Sequence, residues 1–213
     1  MACCAGYDRE FSARRAMRAL RRYQRGKISD TTRLLADAIA ARDVEGATML
    51  DIGGGIGVLQ HLLLERGVAK ACGVEASPGY DAAVKLAAES RGLDGRIEYL
   101  EGDFVALAPD LDAADIVTLD RVICGYPDMP ALVGLSAARA RRCYGVVFPR
   151  DLWWVHLWSH AENVFHWLRR CEFRVFAHSP VAIDETIRRE GLLPCFDADR
   201  GPWRVVLYER IAA

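Results

Sequence analysis

Residues Asp51 to Gly57 have the types and spacing of a cofactor-binding turn. The run reads Asp51-Ile52-Gly53-Gly54-Gly55-Ile56-Gly57 and follows the apolar pair Met49-Leu50. Glycine has no Cβ, so the backbone can turn sharply here and approach a ligand closely. A mostly apolar helical face follows at once, and the free N–H groups at the start of that helix would face the ligand. The segment predicts a strand, a turn and a helix that hold a nucleotide-type cofactor.

Spacing separates two classes of cofactor for this turn. The dinucleotide fingerprint G-x-G-x-x-G counted from Gly53 places its last glycine at Val58, whereas this chain has glycine one residue earlier. The order acid-x-Gly-x-Gly-x-Gly instead resembles motif I of the class I S-adenosylmethionine-dependent methyltransferases. Such a cofactor carries no pyrophosphate, and an acid before the turn would repel phosphate but suits an ammonium. The resemblance implies S-adenosylmethionine as cofactor and S-adenosylhomocysteine as product, bound by Asp51, Gly53, Gly54, Gly55 and Gly57.

Acidic residues also follow the next two predicted strands. The strand at 71–75 ends in Glu75, whose two carboxylate oxygens can accept hydrogen bonds from both ribose hydroxyls. The strand at 97–101 runs into Asp103, and the family resemblance implies that Asp103 binds the adenine amino group while Phe104 packs beside the base. Either acid alone fits a strand end or a helix cap. Together, at successive strand ends, they indicate the cofactor site.

The rest of the chain alternates predicted strands with predicted helices. Strands at 114–120 and 144–148 are separated by a helix from about 129 to 142, and a helix at 180–190 follows. The last two strands, 192–196 and 203–208, are joined by residues 197–202, a connection too short for a crossover helix, so these strands must pair antiparallel. We predict an α/β fold with a Rossmann-like seven-stranded sheet. It is mostly parallel with a C-terminal antiparallel hairpin and has helices on both faces, as in class I methyltransferases.

The chain is predicted to have two parts. Residues 1–45 are predicted as an N-terminal helical lid, and residues 46–213 as the S-adenosylmethionine-binding domain with an aromatic-rich insertion at 150–179. In the first helix Ala13, Ala16, Met17, Leu20 and Tyr23 share one face, with arginines on the other. Family members often pack this segment over the cofactor pocket, which places Tyr23 near the acceptor. A basic, solvated helix is the alternative.

The insertion supplies the candidate acceptor contacts. Its aromatic residues are Trp153, Trp154, Trp158, Phe165, Trp167, Phe173 and Phe176. Aromatic side chains offer large apolar contact with few rotors to freeze, so Trp153 and Trp154, with His156, are predicted to bind a planar or hydrophobic acceptor. The alternative is that these aromatics fill a core between helix and sheet.

Methyl transfer is an in-line displacement, so the protein mainly positions the acceptor and adds a base only where the acceptor needs one. Family members place residues around the methionine end and the acceptor in the loop after the fourth strand, which predicts Asp120 for the cofactor and Tyr126 for acceptor binding and catalysis. His156 and His160 lie four apart on a predicted helix and could form a base or metal pair. Because a third ligand is not evident, no metal is predicted and His160 is a second catalytic candidate.

Residues 98–133 and the order of the C-terminal elements resemble most the magnesium-protoporphyrin O-methyltransferases. Those enzymes typically read Ile-His-Tyr-Pro after the fourth strand, whereas this chain reads Ile123-Cys124-Gly125-Tyr126-Pro127, without the histidine and with one residue more. The branch implies a small acceptor that is hydrophobic, aromatic or carboxylic, with O-methylation favoured over N-, C- or S-methylation. The alternatives are a non-catalytic S-adenosylmethionine-binding sensor or partner subunit, and a nicotinamide-dependent oxidoreductase.

Composition narrows the partners. The chain has 28 basic and 29 acidic residues in 213, so it carries no overall nucleic-acid footprint. No apolar stretch reaches membrane-spanning length. The seven cysteines show no repeated C-x-x-C spacing and follow no secretory signal, which predicts reduced thiols in the cytoplasm. Cys3 and Cys4 receive no role, and the pattern leaves the oligomeric state open.

Overall fold

The computed structural model describes residues 10–168, 171 and 173–211. The described helices are α1 (Ala13–Gln24), α2 (Asp30–Ala40), α3 (Val58–Leu64), α4 (Asp81–Glu89), α5 (Phe104–Leu107), α6 (Met129–Ala137), α7 (Trp153–Leu168) and α8 (Pro180–Arg189). The described strands are β1 (Thr48–Ile52), β2 (Lys70–Glu75), β3 (Ile97–Glu101), β4 (Ala114–Asp120), β5 (Ala140–Pro149), β6 (Leu192–Arg200) and β7 (Trp203–Arg210). Cys3 and Cys4 lie outside the described residues, whereas Cys72, Cys124, Cys143 and Cys195 are described as free thiols.

The strands form one sheet in the order β3-β2-β1-β4-β5-β7-β6. β1 to β5 pair in parallel, and β7 runs antiparallel to both β5 and β6. The order reverses between β1 and β4, and ligands of such sheets bind in the crevice beyond the C-terminal ends of the strands at that point. The predicted fold class is confirmed. Within the described chain, no helix combines the length and apolar character needed to cross a bilayer.

Two predicted boundaries are wrong. α6 ends at Ala137 instead of near residue 142, because β5 begins at Ala140, in register with Ala114 of β4. β6 continues to Arg200, so the predicted six-residue connection shrinks to Gly201 and Pro202. The polar residues 197–200 have the composition of a loop, but they lie on an edge strand, where charged side chains face solvent and shield the free edge.

The first two helices pack on different parts of the core. α1 turns Ala16, Leu20 and Tyr23 inward, against a cluster that includes residues of α4. α2 packs directly on the sheet, since a Cβ at Gly145 of β5 would lie 2.9 Å from Leu35 Cδ1. α2 therefore shares one core with the strands that carry the predicted site.

A carboxyl group is buried near the C-terminal end of β1. Asp51 is wholly buried; its Oδ1 accepts a hydrogen bond from Thr118 Oγ1 at 2.6 Å and its Oδ2 one from Gln60 Nε2 at 3.0 Å. Burial raises the pKa of Asp51 from 3.8 to about 7, and the two hydrogen bonds offset only part of that rise. Ionisation of this group at neutral pH therefore costs stability.

We expect Asp51 to make stability fall with pH. A carboxyl whose pKa is higher in the folded than in the unfolded chain binds more protons when folded, so its contribution is full below pH 3.8 and is lost as the pH rises through about 7. Asp51→Asn should remove that loss, which is on the order of 3 kcal/mol between pH 4 and 8. The measurement is the free energy of unfolding in urea across that range.

Asp112→Asn is the matched control, because Asp112 is exposed and its replacement should leave the profile of the parent chain unchanged. Parallel profiles for the Asp51→Asn chain and the parent chain would contradict the expectation. Absolute stabilities need not agree, since the amide keeps only one of the two acceptor oxygens.

Candidate cofactor and acceptor site

The turn between β1 and α3 has one crowded side and one open side. Its backbone is left-handed at Gly53, Gly55 and Gly57, with φ of 63°, 58° and 79°. A Cβ at Gly53 would lie 2.7 Å from Val122 Cγ2, and one at Gly54 would collide with the Asp51 carboxylate. At Gly55 the nearest atom, Cε1 of Tyr80, is an ordinary 3.5 Å away. The turn can therefore admit a ligand at Gly55, while its other side rests on protein.

Glu75 closes the edge of this turn. Its Oε2 accepts from the Gly55 N–H at 3.2 Å and its Oε1 from the Ser77 N–H at 3.1 Å. Burial raises the pKa of Glu75, although the backbone hydrogen bonds oppose that rise. A carboxylate has about four acceptor positions. The backbone contacts do not use all of these positions, so Glu75 can still accept a hydrogen bond from a ligand beside Gly55.

Asp103 and Tyr126 form one hydrogen-bonded pair. The Tyr126 hydroxyl donates to the Asp103 carboxylate, at 2.9 Å from Oδ1 and 3.0 Å from Oδ2. Asp103 also accepts from the Val105 N–H at 3.1 Å and so begins α5. Phe104 is buried in the main core beside them. The predicted adenine residue and the predicted catalytic residue therefore lie together, and the geometry suits Tyr126 for holding Asp103 in place.

The end of β4 carries a second polar group. Thr32, in the first turn of α2, donates its hydroxyl to Asp120 Oδ2, and Arg121 Nε lies 3.1 Å from Asp120 Oδ1. Arg121 has a φ of 62°, a conformation that costs a residue with a Cβ about 1 kcal/mol or more. Its guanidinium also lies 5.8 Å from the ring centre of Trp203, at the start of β7. A carboxylate, a hydroxyl and a cation thus meet at the C-terminal edge of the sheet.

Two segments from distant parts of the chain meet beside the loop that follows β2. The Phe11 carbonyl accepts from Ser77 Oγ at 2.8 Å, two residues after Glu75. The Phe11 ring packs edge-on against Phe173 at 5.4 Å between centroids, and His166 of α7 packs edge-on against Phe173 at 5.5 Å. The chain before α1 and the chain after α7 therefore form a joint cover beside the cofactor turn.

Other predicted acceptor residues lie elsewhere. Tyr23 is buried on the inner side of α1, and its hydroxyl lies 3.2 Å from His61 Nδ1. Burial raises the pKa of Tyr23 to about 12 and lowers the pKa of His61 to about 4. On α7, His156 pairs with Asp151 at 2.6 Å. The remaining predicted residues of α7 are all exposed: Trp153, Trp154 and His160. Their roles stay predictions, and α7 instead turns Val155 and His166 inward.

Sequence reasoning missed several contributors. Gln60 interrupts the otherwise apolar face of α3, and a polar residue in such a stripe is a usable signal for a buried partner, here Asp51. Thr32, Arg121 and His178 carried no comparable signal. His178 Nε2 donates to the Tyr126 carbonyl at 2.8 Å and so holds the loop after β4 against the segment after α7. Within the described residues, no cluster of three or more potential ligands could hold a metal ion.

Residues 50–144 match the profile of a family described as Methyltransferase domain. Ribosomal protein L11 methyltransferase of Enterobacter sp. (strain 638) is 36% identical over 127 residues, 54% of this chain and 42% of that protein. The same enzyme of Edwardsiella ictaluri is 33% identical over 123 residues, with the same coverage. The chain therefore spans less than half the length of these curated relatives.

Solved structures share the fold at low identity. Magnesium protoporphyrin IX methyltransferase from Synechocystis PCC 6803 with bound SAH has a TM-score of 0.67 at 17% identity, over 91% of this chain and 94% of that one. A putative sarcosine dimethylglycine methyltransferase from Galdieria sulphuraria has a TM-score of 0.69 at 13% identity, over 84% and 85% of the two chains. At such identities the likeness concerns the fold alone.

S-adenosylmethionine is the cofactor of this family, and the residues present fit it. The turn is open at Gly55, and Glu75 beside it has an acceptor position that its backbone contacts do not use. The family profile, the glycine turn and the strand order agree. Residues 50–144 are therefore a methyltransferase domain, and the chain has the fold that it shares with class I S-adenosylmethionine-dependent methyltransferases such as magnesium protoporphyrin IX methyltransferase.

Proposed function

We propose that this protein transfers the methyl group of S-adenosylmethionine to a small acceptor that is hydrophobic, aromatic or carboxylic, with oxygen as the accepting atom. The observation that carries the proposal is the joint cover beside the cofactor turn. There the Phe11 carbonyl accepts a hydrogen bond from Ser77, and the Phe11 ring packs against Phe173. A site covered from two directions admits a small molecule more readily than a folded protein. Such a cover also excludes water, which favours a displacement reaction.

The proposal gives each group at the edge of the sheet a task. Glu75 binds the ribose hydroxyls, and Asp103 binds the adenine amino group. Asp120 lies at the methionine end. Asp51 supports the turn from beneath, because both its oxygens are bonded within the protein. The cofactor supplies an electrophilic methyl group, and these residues hold it while the acceptor is aligned with it.

The contacts of Tyr126 favour an acceptor that is already ionised. Its hydroxyl proton is directed at Asp103, so the group is poorly placed to accept a proton from an acceptor. A carboxylic acceptor is ionised at neutral pH and needs no base. A phenol or alcohol would need one, and exposed His160 would then have to approach the site. The geometry therefore supports a carboxylate oxygen as the nucleophile.

Protein methylation is the second candidate. It is favoured by the 36% identity with a ribosomal protein L11 methyltransferase over 127 residues. Because this chain spans 42% of that relative, the similarity covers the cofactor-binding part and leaves the remainder of the relative without a counterpart in the match. A non-catalytic cofactor-binding protein would use the same turn and is distinguished by turnover alone.

Ligand binding and turnover test the proposal together. By calorimetry, S-adenosylhomocysteine should bind at least about 100-fold more tightly than NADH, because the turn lacks the dinucleotide spacing. Label from methyl-tritiated S-adenosylmethionine, added with cell extract, should then appear in the low-molecular-weight filtrate. Label in the protein precipitate would favour the second candidate. Tight binding with no labelled product would favour the non-catalytic alternative, and tighter NADH binding would overturn the cofactor assignment.

Glu75→Ala should weaken S-adenosylhomocysteine binding about 10- to 100-fold, since a charge-assisted double contact contributes about 1.5–3 kcal/mol. Glu101→Ala is the matched control. Glu101 is the register partner of Glu75 on β3, and its side chain is exposed. Calorimetry on the folded variants gives both affinities. A loss below about twofold for Glu75→Ala would show that the carboxylate serves only the turn itself.

Tyr126→Phe separates positioning from base catalysis. If Tyr126 holds Asp103, the variant should lose about tenfold in cofactor affinity, with an unchanged pH profile of kcat. A general base would instead contribute about 10²- to 10⁴-fold to kcat and leave the cofactor affinity unchanged. Calorimetry and the pH dependence of turnover therefore distinguish the two roles. A large loss of kcat with unchanged cofactor affinity would refute the positioning role.

A further inference from the structure

The outward side of α7 is mostly apolar, with His156 and His160 as its exposed polar side chains. Its large exposed side chains are Trp153, Trp154, Leu157, Trp158, Val164, Phe165, Trp167 and Leu168. Trp153 is 77% exposed, and Trp167 and Leu168 are each 67% exposed. At 100° per residue, Glu162, the one Asp, Glu, Lys or Arg of this helix, falls on the opposite side with Val155 and His166. We call the eight exposed residues the aromatic face.

A continuous face of this kind calls for a partner. Single exposed apolar residues are ordinary on soluble proteins, but contiguous apolar patches mark surfaces that bind another body. Tryptophan and phenylalanine on one side of an amphipathic helix are typical of segments that lie in the interface of a bilayer, where a ring can contact both acyl chains and headgroups. The helix has 16 residues and lies on the body of the protein, which suits a position in the plane of the interface.

α1 presents a second surface of complementary character. Its inner side holds Ala16, Leu20 and Tyr23. Its outer side carries the exposed residues Arg14, Arg18, Arg21, Arg22 and Arg25, the last at the helix end, and we call them the arginine face. α1 contains no acidic residue, so a polyanionic surface can meet these guanidinium groups without competition from within the helix.

The two surfaces belong to adjacent elements. Glu10, just before α1, lies 3.8 Å from His166 Nδ1 on the inner side of α7, and Phe11 packs on Phe173. Acidic groups around the start of α7 are already paired: Asp151 with His156, and Asp199 with Arg150 at 2.9 Å. The start of α1 thus lies next to the inner side of α7, and the apolar surface and the cationic surface are each exposed.

We propose that the aromatic face and the arginine face together bind the surface of an anionic lipid bilayer. The aromatic side chains enter the boundary between headgroups and acyl chains, and the arginines contact the lipid phosphates. An anionic surface is favoured over a second copy of the chain, because the exposed arginines of α1 would find no acidic partner on α1 of that copy. This proposal is independent of the acceptor and of methyl transfer.

Vesicle binding by the full chain tests the proposal. The protein should co-sediment with vesicles of phosphatidylcholine containing phosphatidylglycerol, bind pure phosphatidylcholine at least about tenfold less, and lose binding as salt is raised. The double variant Leu157→Glu/Val164→Glu should reduce the partition coefficient at least about tenfold. Leu193→Glu, at an exposed leucine of β6, controls for the added charge and should bind as the parent chain does.

The arginine face is tested by Arg18→Glu/Arg22→Glu. This variant should lose most of its binding to the anionic vesicles together with its salt dependence. Arg188→Glu/Arg189→Glu on α8 changes the net charge equally and should retain binding. Calorimetry with S-adenosylhomocysteine confirms that every variant is folded.

Three results would overturn the proposal. The first is equal binding of the parent chain to neutral and anionic vesicles. The second is equal loss in the α8 control. In the third, the parent chain does not bind vesicles but sediments as a dimer, and the Leu157→Glu/Val164→Glu variant is a monomer. That result would assign the aromatic face to a second copy.

Discussion

The site depends on one buried carboxyl group. Asp51 is the last residue but one of β1 and receives hydrogen bonds from β4 through Thr118 and from α3 through Gln60. Its Oδ2 also lies where a side chain at Gly54 would have to be. One group therefore joins the two strands at which the sheet order reverses, the helix that follows, and the floor of the cofactor turn. Burial removes Asp51 from water, which costs free energy. A shorter or apolar residue would avoid that cost but could not accept both hydrogen bonds.

Around this junction each acidic group is held by one or two partners within the protein. Glu75 holds the edge of the turn through Gly55, Tyr126 holds Asp103, and Thr32 with Arg121 holds Asp120. Each carboxylate is oriented by the protein before a ligand arrives, which reduces the ordering that binding must supply. The three acidic groups lie on successive parts of one sheet edge, so a ligand that spans them can be contacted at several points at once.

The features that could be predicted are those that depend on short stretches of sequence. The glycine run, the acids at strand ends and the strand alternation predicted the sheet and the residues at its edge. The partners of those acids were not predictable, because Thr118 is 67 positions from Asp51 and Thr32 is 88 positions from Asp120. The aromatic composition of α7 indicated a contact surface, yet which side faces inward depends on packing by Val155 and His166. Composition alone could not tell an acceptor wall from an outward face.

The left-handed backbone at Arg121 places stability and function in competition at one position. Glycine or asparagine would adopt this conformation at a lower cost than arginine. Selection of variants for heat resistance alone would thus tend to discard the guanidinium, and with it the contacts to Asp120 and Trp203. A thermostable form obtained in that way would be expected to keep its sheet and cofactor turn while losing the charge pattern at the mouth of the site. Stability screens of this chain therefore need a functional readout beside them.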